Sequence, residues 1–479
     1  MTTESIELRT SRASASVTAR VGGLHPLGVL TLLVGAFLPI MDFFITNVAL
    51  PSIDASLHST PASLELVIAG YGVAYASLLV LGGRLGDRFG RRRLFLASLI
   101  GFVVASLACG LAPTAGVLIG ARVLQGGCAA LLIPQVLATF HHTLEGERKS
   151  RALALYGATS GIAAVVGQLV GGLLVSANIA GTGWRPIFLV NVPIGLLVLL
   201  CAARVVPATR SAHPLTVDIP GTVLIAATLT ALLVPLAEGG TVGWPWWTGA
   251  LIALAVVLGV ATYVVERRAE AAGKVPLLPP SLLRLPSMSR GLLMVFAFSI
   301  GFGAFMFVFS LTVQNGLHQD ALHSGLAILP MALLFLAGSL VAPRLITRFG
   351  RATLTGGAVV QLAGLASLVA VLAWDWPQVS LWVMAAPLAL VGAGQSMLFA
   401  GLFRSVLADV PTHLGGIGSG VLITVQQSGL ALGVATLGSL YIALAPASIV
   451  TAFSVVEYVQ IGIVALLAIG AGMLPHFSR

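Results

Sequence analysis

Gly83-Arg-Leu-Gly-Asp-Arg-Phe-Gly-Arg-Arg92 returns later in the chain, in reduced form, as Pro343-Arg-Leu-Ile-Thr-Arg-Phe-Gly-Arg351. Arg84, Leu85, Arg88, Phe89, Gly90 and Arg91 recur as Arg344, Leu345, Arg348, Phe349, Gly350 and Arg351, at an offset of 260 residues. Each copy follows the second apolar stretch of a block of six. A second echo, at an offset of 259, pairs Gly161 and Gln168 with Gly420 and Gln427. Two related halves are the reading that decides the fold.

The composition says what the halves are made of. Of 479 residues, 57% are apolar and only 9% are Asp, Glu, Lys or Arg, against about 25% charged in soluble domains. Mean hydropathy is +1.02. This excludes a soluble enzyme, a nucleic-acid binder and a disordered chain. A helix needs about 20 apolar residues to cross a bilayer, and lipid leaves backbone polar groups no partner outside the helix. The window rule gives fourteen spans, at about 26–50, 64–83, 93–112, 115–139, 152–176, 185–206, 217–237, 247–265, 290–313, 321–343, 353–373, 378–403, 415–442 and 449–474. Residues 1–25 read as a cytoplasmic tail before an uncleaved first span. Cys109, Cys128 and Cys201 lie within apolar stretches and give neither a disulfide framework nor a metal spacing.

The bases fix the orientation. With the N-terminus inside, 23 of the 25 Lys and Arg residues fall on the cytoplasmic side; only Arg185 lies outside, and Arg122 lies within a span. Such asymmetry is the positive-inside rule. The net charge of +9 is therefore a topological signal, and no nucleic-acid partner is expected.

Six spans with their connections take roughly 200 residues, so the offset of 260 leaves room for one further hairpin. The expected organisation is a six-helix bundle over 26–206, an inserted pair over 217–265, a cytoplasmic linker over 266–289 and a second bundle over 290–474. Parallel repeats of this kind build a major class of secondary transporter.

Five motifs carry a specific resemblance. The first span ends Met41-Asp42-Phe-Phe-Ile-Thr-Asn-Val-Ala-Leu-Pro51; the Gly83–Arg92 connection follows the second; Arg122-Val-Leu-Gln-Gly-Gly127 lies in the fourth. Trp184-Arg-Pro-Ile-Phe-Leu-Val-Asn-Val-Pro-Ile-Gly195 leads into the sixth, and Asp218-Ile-Pro-Gly221 opens the seventh. The chain resembles a fourteen-span member of the drug:proton antiporter branch of the major facilitator superfamily. The resemblance implies an all-α membrane protein with two six-helix bundles and an inserted helix pair, in a bacterial cytoplasmic membrane with both termini inside. One departure stands out: the fifth-span motif Gly-Pro-x-x-Gly-Gly reads Gly167-Gln-Leu-Val-Gly-Gly172, with Gln168 in place of proline.

Candidate residues follow from charge and depth. Asp42 sits about 12 Å inside the first span at 1.5 Å per residue, and a carboxylate at that depth reads as functional by default. Arg122 reaches nearly the same depth and needs a partner. Asp42, Arg122, Gln125 and Glu65 are the expected proton-coupling set, although Glu65 also reads as a solvated interface residue. In the resembled fold the first and fourth spans line the central cavity. Tyr71, Tyr75, Gln168, Phe298, Phe302, Phe305, Gln426 and Gln427 are its expected lining; Phe309 continues the phenylalanine face. Gly83, Asp87, Arg88, Gly90, Arg91 and Arg92 are expected to form a gating turn, with Asp87 latching the inner side. Thr347 takes the acid's place in the second copy. Glu457 belongs to a helix expected to be peripheral.

Several signatures are missing. The sequence has no Gly-x4-Gly-Lys-Ser/Thr, His-Glu-x-x-His or Gly-x-Ser-x-Gly motif. No catalysis, metal or cofactor is expected, and the drive is expected to be the proton gradient. The expected function is proton-coupled export of hydrophobic or amphipathic small molecules by a monomer, neutral or monocationic rather than dicationic. The alternative is a transporter dedicated to one metabolite or natural product, in either direction.

Overall fold

A computed structural model describes residues 24–210, 218–274, 276–411 and 414–472. Fourteen helices within them are long and apolar enough to cross a membrane: α1 Pro26–Leu57, α2 Ala62–Phe89, α3 Arg91–Gly110, α4 Ala115–Thr143, α5 Gly146–Ala177, α6 Pro186–Val205 and α7 Ile219–Gly239. They continue as α8 Trp246–Ala271, α9 Pro286–Gly316, α10 Ala321–Phe349, α11 Ala352–Asp375, α12 Leu381–Val406, α13 Ile417–Leu444 and α14 Ile449–Ala471. The tail expected at residues 1–25 lies almost wholly outside the described residues.

Local chemistry sets the helix starts. Thr60, Thr114 and Ser448 accept from the backbone N–H three residues on, satisfying a donor that the first turn leaves free. Asp320 does the same for α10, and the His323 N–H holds its carboxyl below the usual carboxylate range. The two ends of the bundle differ in composition. The α2–α3 and α10–α11 connections and their arginines lie at one end, called here the basic end. All seven tryptophans, at 184, 244, 246, 247, 374, 376 and 382, lie at or next to connections of the opposite end, where amphipathic rings mark a membrane interface.

The helix pairs repeat. In the first half α1 packs on α4, α5 and α6, α2 on α4, and α3 on α4 and α6; the second half pairs α9 with α12, α13 and α14, α10 with α12, and α11 with α12 and α14. The halves meet through α2 on α13 and α5 on α10, two contacts that exchange when the halves are swapped. α7 packs against α2 and α13, and α8 packs on α7.

The Gly83–Arg92 stretch is not the tight turn expected from its glycines. α2 remains helical to Phe89, and only Gly90 leaves the helix, at φ +100°, a region glycine enters without strain. Gly86 instead lets Gln135 of α4 lie against α2; a Cβ there would meet the Gln135 amide.

Candidate functional site

Asp42 is fully buried among α1, α2, α4 and α6. Its Oδ2 is ion-paired with Nη1 of Arg122. Its Oδ1 accepts from Gln125 Nε2 at 2.8 Å and from Asn191 Nδ2 at 2.6 Å. Ser106 Oγ on α3 lies 2.7 Å from Gln125 Nε2 and 3.3 Å from Asn191 Nδ2. Arg122 also donates from Nη1 to Gln125 Oε1 at 2.7 Å and from Nε to the Val67 carbonyl at 3.1 Å. Its guanidinium carbon lies 4.2 Å from the Tyr71 ring centre and 5.6 Å from that of Phe188. The buried acid is thus matched by a cation and two amide donors, the arrangement that lets charge persist out of water.

Asn191 and Ser106 escaped the sequence reading. Their signal was faint: Asn191 is the polar residue inside the Trp184–Gly195 motif, and uncharged polar residues are ordinary packing elements in spans.

A cavity of about 570 Å³ lies between the halves, within the range typical of small-molecule sites. Tyr71, Tyr75, Gln168, Phe298, Phe302, Gln426 and Gln427 line it, together with Phe43, Phe335 and Phe399. Phe298 and Phe302 stack with ring centres 6.3 Å apart, and Phe399 meets Phe298, Phe335 and Phe403. Tyr75 of α2 and Gln427 of α13 line the cavity from opposite halves. Gln168 Nε2 is buried without a hydrogen-bond partner among the described residues.

Three expectations need correction. Phe305 and Phe309 do not line the cavity; they stack on each other in the core. The α9 wall of the cavity follows the i, i+4 row Phe298, Phe302 and Met306; Phe305 lies off that row and Phe309 lies deeper along the helix than its end. Asp42 and Arg122, expected as members of the coupling set, lie behind the lining. Tyr71, whose hydroxyl donates to the Pro39 carbonyl at 3.0 Å, stands between Arg122 and the cavity. Glu65 is not solvated: it is 1% exposed and receives the Ser439 hydroxyl of α13. Glu457 is not peripheral in its environment; α14 turns it inward, fully buried, with no hydrogen bond to either oxygen among the described residues.

At the basic end Asp87, the residue expected to latch the inner side, pairs with Arg91 at 2.9 Å across the break between α2 and α3, so in this structure its bond holds neighbouring helices of one half. Arg92 donates to the Ala203 carbonyl at the end of α6, while Arg88 lies over Phe89. Arg84 reaches furthest, to the Pro276 carbonyl at 2.5 Å. Asp218 and Glu266 accept from the Leu277 and Leu278 N–H groups of the same segment, which ties α7, α8 and the segment before α9 to α2.

The cavity is shut at the opposite end. Ser310 and Gln314 of α9 donate to the Asn47 and Val48 carbonyls of α1 at 3.0 and 2.9 Å, and Leu322 N–H donates to Ser176 Oγ at 3.1 Å. Towards the basic end its wall passes to the exposed Gly157 of α5 and Leu340 of α10. A helical membrane protein with two repeated halves and a cavity between them, closed towards one end, has the architecture of a membrane transporter.

The comparisons with known proteins agree. The Major Facilitator Superfamily model matches residues 32–434, and the chain belongs to that superfamily. It is 37% identical over 418 residues to the puromycin resistance protein of Streptomyces alboniger, covering 86% of this chain and 81% of the relative. It is 34% identical over 441 residues to the cephamycin export protein of Amycolatopsis lactamdurans, covering 90% and 86%. Among solved structures, a POT family transporter in complex with 5-aminolevulinic acid superposes with a TM-score of 0.68 at 14% identity, over 94% of this chain and 97% of that one. The protein is a multi-pass membrane transporter with a small-molecule substrate.

Proposed function

We propose that the chain exports hydrophobic or amphipathic small molecules, antibiotics among them, in exchange for protons. The observation that carries this reading is the Asp42–Arg122 pair, fully buried behind the wall of an aromatic cavity. The names of the two relatives, an export protein and a resistance protein, support the direction. The basic end is taken as cytoplasmic by the positive-inside rule, so both termini lie inside, the membrane is the cytoplasmic one, and this conformer faces inward. The protein works as a monomer and needs no cofactor, metal or catalytic residue.

The coupling follows from the contacts. A proton on Asp42 cancels the charge that holds Arg122. Arg122 is also bonded to the Val67 carbonyl and stacked on Tyr71, a cavity residue. Protonation is therefore felt at the substrate wall and in the α1–α2–α4 packing. Breaking a buried pair by removing one partner costs about 3–5 kcal/mol, ample for a change of conformer.

Asp42→Asn should leave the protein in the membrane, keep substrate affinity within a few-fold and abolish pH-gradient-driven efflux in everted vesicles. Undiminished gradient-driven efflux by that variant would refute the coupling role. A second reading, transport of one defined metabolite, draws on Gln168, whose unpartnered buried Nε2 borders the cavity and fits a specific acceptor. A substrate panel, run with and without a pH gradient, separates the two by breadth and direction.

A further inference from the structure

Ser439 of α13 crosses the interface between the halves to Glu65 of α2. Its Oγ lies 2.8 Å from Glu65 Oε2 and 3.0 Å from Oε1, 2.9 Å from the Ala435 carbonyl oxygen and 3.2 Å from the Leu236 carbonyl oxygen of α7. A serine hydroxyl gives one hydrogen and can accept others. Four acceptors surround this one, and with Glu65 ionised none of the four supplies a donor. Glu65 is 1% exposed and makes no ion pair among the described residues. A carboxylate buried without a cation is strongly disfavoured.

One proton resolves both problems. The acid O–H of Glu65 then donates to Ser439 Oγ, and the serine hydrogen goes to the Ala435 or Leu236 carbonyl. One of the serine's two approaches to the acid then becomes a hydrogen bond donated by the acid, and the serine hydrogen is left to satisfy a carbonyl.

The neighbouring charges do not supply an alternative. The titratable residue of α7 is Glu238, an acid and not a cation. α13 carries Tyr441, whose hydroxyl is hydrogen-bonded to Thr312 at 3.0 Å. α4 brings Arg122 to the Val67 carbonyl, but that charge is matched by Asp42. Asp54 and His58 of α1 are exposed at the helix end. The arginines of α2 and α3 lie at the basic end.

We propose that Glu65 is a second proton-binding site, separate from Asp42, and that its proton fastens α2 to α13 and to α7 at the opposite end of the membrane. When α2 and α13 part there, Glu65 meets water and ionises; it must regain a proton before that end closes. The hairpin α7–α8 thereby acquires a share in gating through the Leu236 carbonyl. The site stands whether or not Asp42 carries the driving proton.

The test is a distance measurement on purified full-length protein, with site-specific spin labels on the loop before α2 and the loop after α13. Raising the pH should convert short distances to long ones in the wild type, by up to about tenfold in population ratio per pH unit, the limit for one linked proton. Glu65→Gln cannot ionise and still offers a donor to Ser439, so it should stay short throughout. Asp42→Asn removes the buried pair and so should shift the starting ratio of short to long distances, but it should keep a dependence of that ratio on pH. A wild-type distance that ignores pH, or a response that survives Glu65→Gln, overturns the proposal. Loss of the response in Asp42→Asn overturns the separateness of the site. Vesicle efflux by Asp42→Asn reports on the exporter reading independently of these distances.

Discussion

At the scale of the residue, function concentrates on a few polar atoms in an apolar interior, and their partners decide what each can do. Asp42 carries a cation on one oxygen and two amides on the other. Asn191→Leu removes one of those donors, and a hydrogen bond to a charged group contributes about 1.5–3 kcal/mol. The denaturation midpoint in mixed detergent micelles should fall accordingly. Gln426→Leu, at a half-buried position in the cavity wall, should stay within about 0.5 kcal/mol of wild type while altering substrate affinity. Equal losses in both variants would show that Asn191 gives Asp42 no special support. Asp42 and Arg122 were legible because a charge within an apolar run stands out, and Gln125 followed from its spacing on the same helix. Asn191 and Ser106 were not, because one sequence cannot show which uncharged polar residues of distant spans converge. The burial of Glu65 was hidden for the same reason, since Ser439 and Leu236 lie far along the chain.

At the scale of the element, the positions of all fourteen spans followed from hydropathy, but their ends did not. α2 and α10 run past the expected 83 and 343 to Phe89 and Phe349, because a helix that has left the lipid can go on with arginines in its last turns until a glycine ends it. Small residues set the contacts between elements. Gly172 of α5 touches α10 so closely that a Cβ would stand 2.5 Å from the Ala321 carbonyl oxygen and 2.9 Å from the Leu322 Cα. This glycine belongs to the motif that lacks its proline, yet it still shapes the closure at the opposite end. Gly172→Leu should force α5 from α10. Overpacking costs about 1–3 kcal/mol, and each 1.4 kcal/mol is a factor of about ten in an equilibrium. Spin-label distances between the Ala177 end of α5 and the Ala321 end of α10 should lengthen. An unchanged distribution would mean that another contact holds that end shut.

At the scale of the whole molecule, the repeat announced in the arginine connections becomes a two-fold pattern of helix contacts, and the cavity lies on that symmetry. The offset between the repeats led to the expectation of an extra hairpin over 217–265 but did not tell of the packing of α7 against α2 and α13, since apolar faces that meet lipid and those that meet protein read alike in lipid-soluble helices. The cavity wall brings the substrate question to a test. Its lining is aromatic, aliphatic and amide, with no Asp, Glu, Lys or Arg among the described residues. Asp42 is shielded by Tyr71, and Glu65 lies at the α2–α13 junction outside the lining. The rings of Phe298, Phe302 and Phe399 can attract one cation, by about 0.5–2 kcal/mol, but a second charge would enter without a counter-charge and lose its hydration. A monocation should therefore compete for the site at least about tenfold better than a dication built on the same ring system, a difference of roughly 1.4 kcal/mol. Competition against a fluorescent substrate on purified protein measures this directly. Tighter competition by the dication would require an acid to reach the cavity in the substrate-bound state, and Asp42, one aromatic ring behind the wall, would be the first residue to replace.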